Sequence, residues 1–245
     1  MKPITLLTLL LACLVVFTFS CSDDSPTAVT TEFDLTYVPN IDPANFVAAI
    51  TNSYLPLTVG KTFVYEGEDE EGETVRIELN VTNDTKTIMG VICTVVRERE
   101  WVDGELEEDT LDWFAQDTDG NIWYFGEDSK EIDGGQVVST EGSWEAGVDG
   151  AQPGILMKGT PQVGDSYRQE YYHGEAEDMA LVLSLSESVT VLYGSYNNCL
   201  QTEEWTPLEP GVSEHKLYAP GIGLLREVAI TGEAGYVELI SITTQ

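Results

Sequence analysis

From about residue 57 onward, apolar positions recur at every second residue. "VRIELNV" (75–81), "ICTVVREREW" (92–101), "LDWFA" (111–115), "LVLSLSESVTVLYG" (181–194) and "YVELISI" (236–242) all alternate apolar with polar side chains. A period of two sends successive side chains to opposite faces of an extended chain, so each segment predicts a half-buried strand. Asp103-Gly104, Asp119-Gly120 and Gly134-Gly135 supply residues that tolerate the backbone angles of tight hairpin turns. One segment departs from this period. "DPANFVAAI" (42–50) predicts a short helix, with Asp42 as cap, Pro43 in the first turn, and Phe46, Ala49 and Ile50 sharing a face.

The alternating pattern is written twice. A shift of 104 residues lays Leu57–Ala115 over Pro161–Ala219 without a gap, and 11 of the 59 positions are identical. The shared positions include Gly60/Gly164, Gly90/Gly194, Glu100/Glu204, Trp101/Trp205 and Ala115/Ala219. Glycines and tryptophans in register point to a duplicated unit. The expected fold is all-β: an antiparallel meander in two copies (about 57–140 and 161–243) curling into a barrel or half-barrel, preceded by one short N-terminal helix. Residues 128–160, with "STEGSWEAGVDGAQPGILM", join the copies and hold too much glycine for a helix.

Residues 1–20 have a different character. Lys2 precedes an apolar run to Phe19, then Ser20-Cys21-Ser22-Asp23-Asp24, the layout of a secretory signal. The cysteine at the cut resembles a bacterial lipoprotein signal, so Cys21 is the expected lipidation site. Cys13 is the weaker choice, because it leaves "LVVFTFS" on the mature chain. Residues 21–41 then read as a lipidated, polar tether and 42–245 as a single β domain. "CSDDS" also resembles the acidic tether of Bacteroidetes-like surface lipoproteins. These readings place the protein outside the cytoplasm on an outer-membrane anchor, facing the periplasm or the cell surface.

Charge narrows the partners. Without residues 1–20 the chain carries 10 basic against 43 acidic side chains. That excludes nucleic acid, which needs clustered Lys and Arg for its phosphates. It also leaves any membrane contact to the anchor, because anionic lipid repels such a surface. Cys93 and Cys199 are the cysteines that remain beyond Cys21, and an oxidising compartment favours a disulfide between them.

Candidate chemistry is sparse. "DTDGN" (117–121) mimics the start of a calcium loop, but its glycine falls one position early. Its counterpart in the second copy, "PGIG", holds no carboxylate, so a structural turn is expected. His173 falls in an acidic hairpin tip and His215 on a strand, and neither accompanies a nucleophile or a metal motif. If Asp103-Gly104 forms a two-residue turn, Arg99 faces Glu108, while Glu98, Glu100, Glu107 and Asp109 share the other face. Those four acids either lie fully solvated or hold a divalent cation such as calcium; no other cofactor is implied. A register slip of one residue destroys the cluster. Arg97, Arg99 and Trp101, with Trp113 and Trp123, are the candidate ligand-binding residues, as anion hooks and as stacking or cavity-lining surfaces.

"YLPLTVGKTFVYEG" (54–67), "DWFAQDTDGNIWYFGED" (112–128) and "STEGSWEAGVDGAQPGILM" (139–157) together resemble a family of secreted bacterial β proteins with no assigned activity, over about residues 42–243. The resemblance implies an exported domain and brings no catalytic residues with it. "PLTVGKTFVYE" is also similar to the opening strands of periplasmic lipoprotein-carrier-like sheets. The expected function is a lipid-anchored extracytoplasmic binding module for an apolar molecule or a glycan. The alternatives are a secreted hydrolase working through carboxylates and a structural envelope protein.

Overall fold

The computed structural model describes residues 37–232 and 234–244. The signal, Cys21 and the tether as far as residue 36 lie outside them. Residues 37–41, assigned by sequence to the tether, pack on the domain: the Tyr37 hydroxyl donates to the Pro153 carbonyl at 3.0 Å and its ring meets Tyr171 edge-on.

The helix shrinks to one 3-10 turn, Pro43–Asn45. Asp42 caps it as expected, accepting from the Ala44 amide at 3.0 Å. The chain then leaves as β1 (Phe46–Val47), because β5 offers a free edge for pairing: Phe46 meets Asp117 and Val47 meets Gln116. Pairing with a sheet outcompetes a helix too short to stabilise itself.

The alternating segments become strands. The first meander is β2 (Lys61–Glu68), β3 (Thr74–Ile88), β4 (Val91–Val102), β5 (Glu105–Asp117) and β6 (Ile122–Asp128). An excursion follows with β7 (Glu131–Asp133), β8 (Gln136–Ser139) and β9 (Trp144–Glu145), before β10 (Gln152–Met157) rejoins the main sheet. The second meander is β11 (Ser166–Arg168), β12 (Glu170–Tyr171), β13 (Met179–Val191), β14 (Gly194–Trp205), β15 (Ser213–Ala219), β16 (Gly223–Thr231) and β17 (Tyr236–Thr244). The shift of 104 residues carries β3, β4 and β6 onto β13, β14 and β16, so the repeat in sequence is a repeat in structure.

All pairings are antiparallel, and the sheet nearly closes into a barrel. β17 returns to β2 through eight residue pairs, from Tyr236–Glu68 to Thr244–Lys61. On the far side β10 bridges β6 and β12, and the β10–β12 seam has two pairs. The three turns read from sequence form: Asp103-Gly104 (φ 48° and 86°), Gly134-Gly135 (φ 55° and 76°) and Asp119-Gly120, where Gly120 takes φ 85°. Val75, Ile77, Val81, Val96, Phe114, Leu200, Leu225, Val237 and Leu239 are buried in one continuous core.

A strap closes one end. Residues 48–60 run from β1 to β2 across the barrel mouth and are tied down at several points. The Asn52 side chain donates to the carbonyls of Gly120 and Lys158 (2.8 and 3.0 Å), and the Gly221 amide donates to the Ser53 carbonyl (2.7 Å). Ile50 and Leu57 point down into the core.

Candidate binding site in the barrel interior

Strand parity decides what lines the inside. Val96, Glu98, Glu100 and Val102 share one face of β4 and oppose Val81, Leu79, Ile77 and Val75 of β3, all of them buried. Glu98 and Glu100 therefore point into the barrel. The β4–β5 hairpin starts as expected, with Trp101 opposite Leu106, but a bulge between Glu100 and Trp101 moves every later pair by one. Arg99 then faces Asp109, Glu100 faces Glu108 and Glu98 faces Thr110. The acid cluster read from sequence is corrected by this slip. Glu98 and Glu100 are inside, Glu107 and Asp109 are outside, and the inward acids of β5 are Glu108 and Asp112. Among the described residues no three His, Cys, Asp or Glu side chains converge as metal ligands.

The second meander contributes Glu204 from β14, Lys216 from β15 and Glu227 from β16. Lys216 is 4% exposed and its ammonium lies 3.2 Å from Glu204, 2.8 Å from Glu214 and 3.4 Å from Glu227. Burial alone lowers a lysine pKa; here the three carboxylates outweigh it and hold the ammonium well above its usual range. Glu204 is fully served: it also accepts from Thr202 Oγ1 (2.6 Å), Gln169 Nε2 (3.1 Å) and the Tyr218 hydroxyl (3.4 Å).

The first meander's acids are not served in this way. Glu100 is 1% exposed and neither carboxylate oxygen has a hydrogen-bond partner. Glu98 Oε2, Glu108 Oε2 and Asp112 Oδ2 are buried and unpartnered as well. Burial raises all four above the usual carboxylate range, and mutual repulsion adds to it: Asp112 and Glu108 act on Glu98, and Glu108, Glu98 and Glu227 act on Glu100. Asp112 is pushed up to about 7 by burial, against the Tyr124 hydroxyl that donates to its Oδ1 at 2.8 Å. Charges this far from water persist only when paired, so at neutral pH part of this set carries protons.

Above this layer, beneath the strap, is a cavity of about 30 Å³. Leu55 and Leu57 of the strap roof it, Phe63, Leu79, Phe114, Leu156 and Leu224 wall it, and Tyr65, Tyr218, Glu204 and Lys216 form its polar inner end. That volume holds roughly two or three waters, at about 10–15 Å³ each. The site is thus a small apolar chamber that ends on an ion pair, with uncompensated acids one strand away.

The residues proposed from sequence as ligand contacts lie elsewhere. Arg97 donates to Asp109 (Nε–Oδ1 2.7 Å) and Arg99 to Glu78 (3.0 Å) on the outer face; Arg99 also stacks over Trp101 at 5.0 Å. Trp113 is 6% exposed beneath the Lys86 ammonium, 3.2 Å from the ring centroid, and the Trp123 indole donates to Asp117 at 2.8 Å. Parity puts all five on the face opposite Glu98 and Phe114, away from the barrel interior. The bridge between Cys93 and Cys199 is also corrected, since both are buried free thiols. β4 and β14 stand on opposite walls, with β3, β2, β17, β16 and β15 between them. "DTDGN" is the expected turn. Asp117 spends its carboxylate on the amides of Asp119 and Asn121 and on the Asn121 and Trp123 side chains, at 2.8–2.9 Å.

Glu98 and Glu100 were named from sequence, but their inward direction was not, because "RERE" is polar at both parities; Glu108, Asp112 and Lys216 were missed as interior residues. Val96 and Val102 share the parity of Glu98 and Glu100, which is the signal that places them inside.

No family model and no curated protein matches the chain. Among solved structures it is similar to a Bacteroides fragilis protein described as exported with a YmcC-like fold, at 14% identity and a TM-score of 0.48. That likeness covers 79% of this chain and all of the other. It is also similar to a Parabacteroides distasonis protein described as a lipoprotein, at 11% identity and a TM-score of 0.35, over 78% of this chain and 99% of that one. At these scores neither likeness speaks to ligand or activity.

Proposed function

We propose that the protein is an extracytoplasmic binding module, tethered through Cys21 to the outer membrane, that holds the end of a small apolar molecule inside its barrel. The observation that carries this reading is the strap-roofed cavity, whose walls are apolar and whose few polar groups lie at one end. The export signal and lipidation motif of residues 2–24 support the location. The apolar reading is favoured over a glycan because Trp113, one of the two tryptophans expected to stack on a sugar, is buried, and the indole N–H of the other, Trp123, is spent on Asp117. A hydrolase using the interior acids is less favoured, because Glu100 and Glu227 are 1% and 0% exposed and face no open cleft.

The test is native mass spectrometry of residues 22–245 purified from the cell envelope. An adduct of small-molecule mass is expected, and it should disappear in Leu57→Trp, whose indole takes up the chamber. A bare polypeptide mass, together with no stabilisation by medium-chain alcohols, would count against any binding role.

A further inference from the structure

Two seams of unequal length close the barrel. β2 and β17 meet through eight residue pairs, whereas β10 and β12 meet through two, Gln152–Tyr171 and Pro153–Glu170. Pro153 has no amide N–H to give to the shorter ladder. The backbones there are nevertheless in contact, since a Cβ added to Gly154 would lie 2.3 Å from the Gln169 carbonyl.

Tyr37 spans this seam. Its hydroxyl donates to the Pro153 carbonyl of β10 at 3.0 Å, and its ring meets Tyr171 of β12 edge-on, 5.6 Å between centroids. The Arg168 guanidinium of β11 lies 5.8 Å from the Tyr37 ring and 4.7 Å from the Tyr171 ring, so one cation faces both. Burial pushes the Tyr37 hydroxyl up to about 12, against the pull of Arg168, which keeps it a neutral donor. One side chain is thus bonded to both edges of the seam.

The same seam forms a wall of the chamber. Leu156 of β10 lines the cavity, and Gln169, next to β12, reaches across to it. The Gln169 Nε2 donates to the Leu156 carbonyl at 3.4 Å and to Glu204, at the polar end of the cavity, at 3.1 Å. Parting β10 from β12 breaks these bonds and uncovers the chamber from the side. The strap is held more firmly, because Asn52 and Ser53 fasten it to Gly120, Lys158 and Gly221.

We propose that the β10–β12 seam is the gate through which small solutes reach the chamber, and that Tyr37, where the tether read from sequence joins the domain, is its latch. A seam with few backbone pairs opens before the rest of a barrel, and the contacts that bridge it set how often. The proposal rests on the cavity reading only for what the gate admits.

The experiment uses residues 22–245, which contain the whole barrel. Native-state hydrogen exchange in Tyr37→Ala should be about tenfold faster at 152–157 and 168–171, the effect of losing one hydrogen bond and one ring contact. Exchange in the β2–β17 seam, at 61–68 and 236–244, should not change. A thiol placed in the chamber wall by Leu156→Cys then reads access: iodoacetamide labelling of that site, resolved from Cys93 and Cys199 by peptide mass spectrometry, should rise by a similar factor when Tyr37→Ala is added. Tyr37→Phe, which keeps the ring and loses the bond to Pro153, should fall between. Equal acceleration in both seams would make Tyr37 a general stabiliser and overturn the latch. Faster exchange at 152–157 without faster labelling would overturn the gate. Labelling is read whether or not a ligand is bound. A bare mass in native spectrometry with latch-dependent labelling therefore overturns the cavity reading and keeps the gate, and a retained adduct with labelling indifferent to Tyr37 does the reverse.

Discussion

Asp112 shows how one residue links burial to behaviour in solution. It faces Tyr124, Glu108, Glu127 and Glu98, and only the tyrosine offers it a donor. Its carboxyl is raised from 3.8 to about 7 because burial disfavours the charged form. The folded chain thus holds this proton more tightly than the unfolded chain. The stabilisation is fully present below pH 3.8 and is lost as the pH rises through about 7. Glu98, Glu100 and Glu227 are shifted in the same direction. Thermal unfolding should therefore show a higher melting point at pH 5 than at pH 8. Asp112→Asn keeps an acceptor for Tyr124 but has no proton to lose, and should narrow the difference by about 2–4 °C per kcal/mol removed. A melting point that does not change between these pH values would falsify the picture of a proton-holding interior.

At the level of strands, small irregularities decide more than propensity does. The bulge between Glu100 and Trp101 keeps the Asp103-Gly104 turn and the Trp101–Leu106 pair while exchanging which acids of β5 point inward. Bulges leave no mark in an alternating sequence, so the turn was legible and the facing pairs beyond it were not. The same holds for 42–50, where the cap and the first turn were readable but the pull of the β5 edge was not. Gly67 marks another such place. It sits opposite Val237 in the β2–β17 seam, and a Cβ added there would lie 1.7 Å from the Tyr236 carbonyl oxygen. Gly67→Ala must push β17 off β2, so it should destabilise the domain by about 2 kcal/mol or more and speed amide exchange in 236–239. Unchanged exchange there would mean that the seam yields without opening.

For the whole molecule, closure is the property that matters. Two meanders of the same design meet at β2–β17 and at β6–β10–β12, and their equivalent strands end on opposite walls. Cys93 and Cys199 are placed by that geometry. Burial raises the Cys93 thiol to about 12 and also raises Cys199. Neither thiol of the domain 22–245 should react with a thiol reagent in the native state, and both should react after unfolding; one or no thiol after unfolding would show a bridge. The all-β class, the duplication and the turns were determined by the sequence itself, because each rests on a pattern readable along the chain: a period of two, a fixed offset, a dipeptide. Which acids enter the barrel, which lysine meets them, which pair stays without a donor and what the strap covers were decided only by the tertiary structure. Those depend on parity, bulges and closure, which bring β4, β5, β14, β15 and β16 around one interior from positions more than a hundred residues apart.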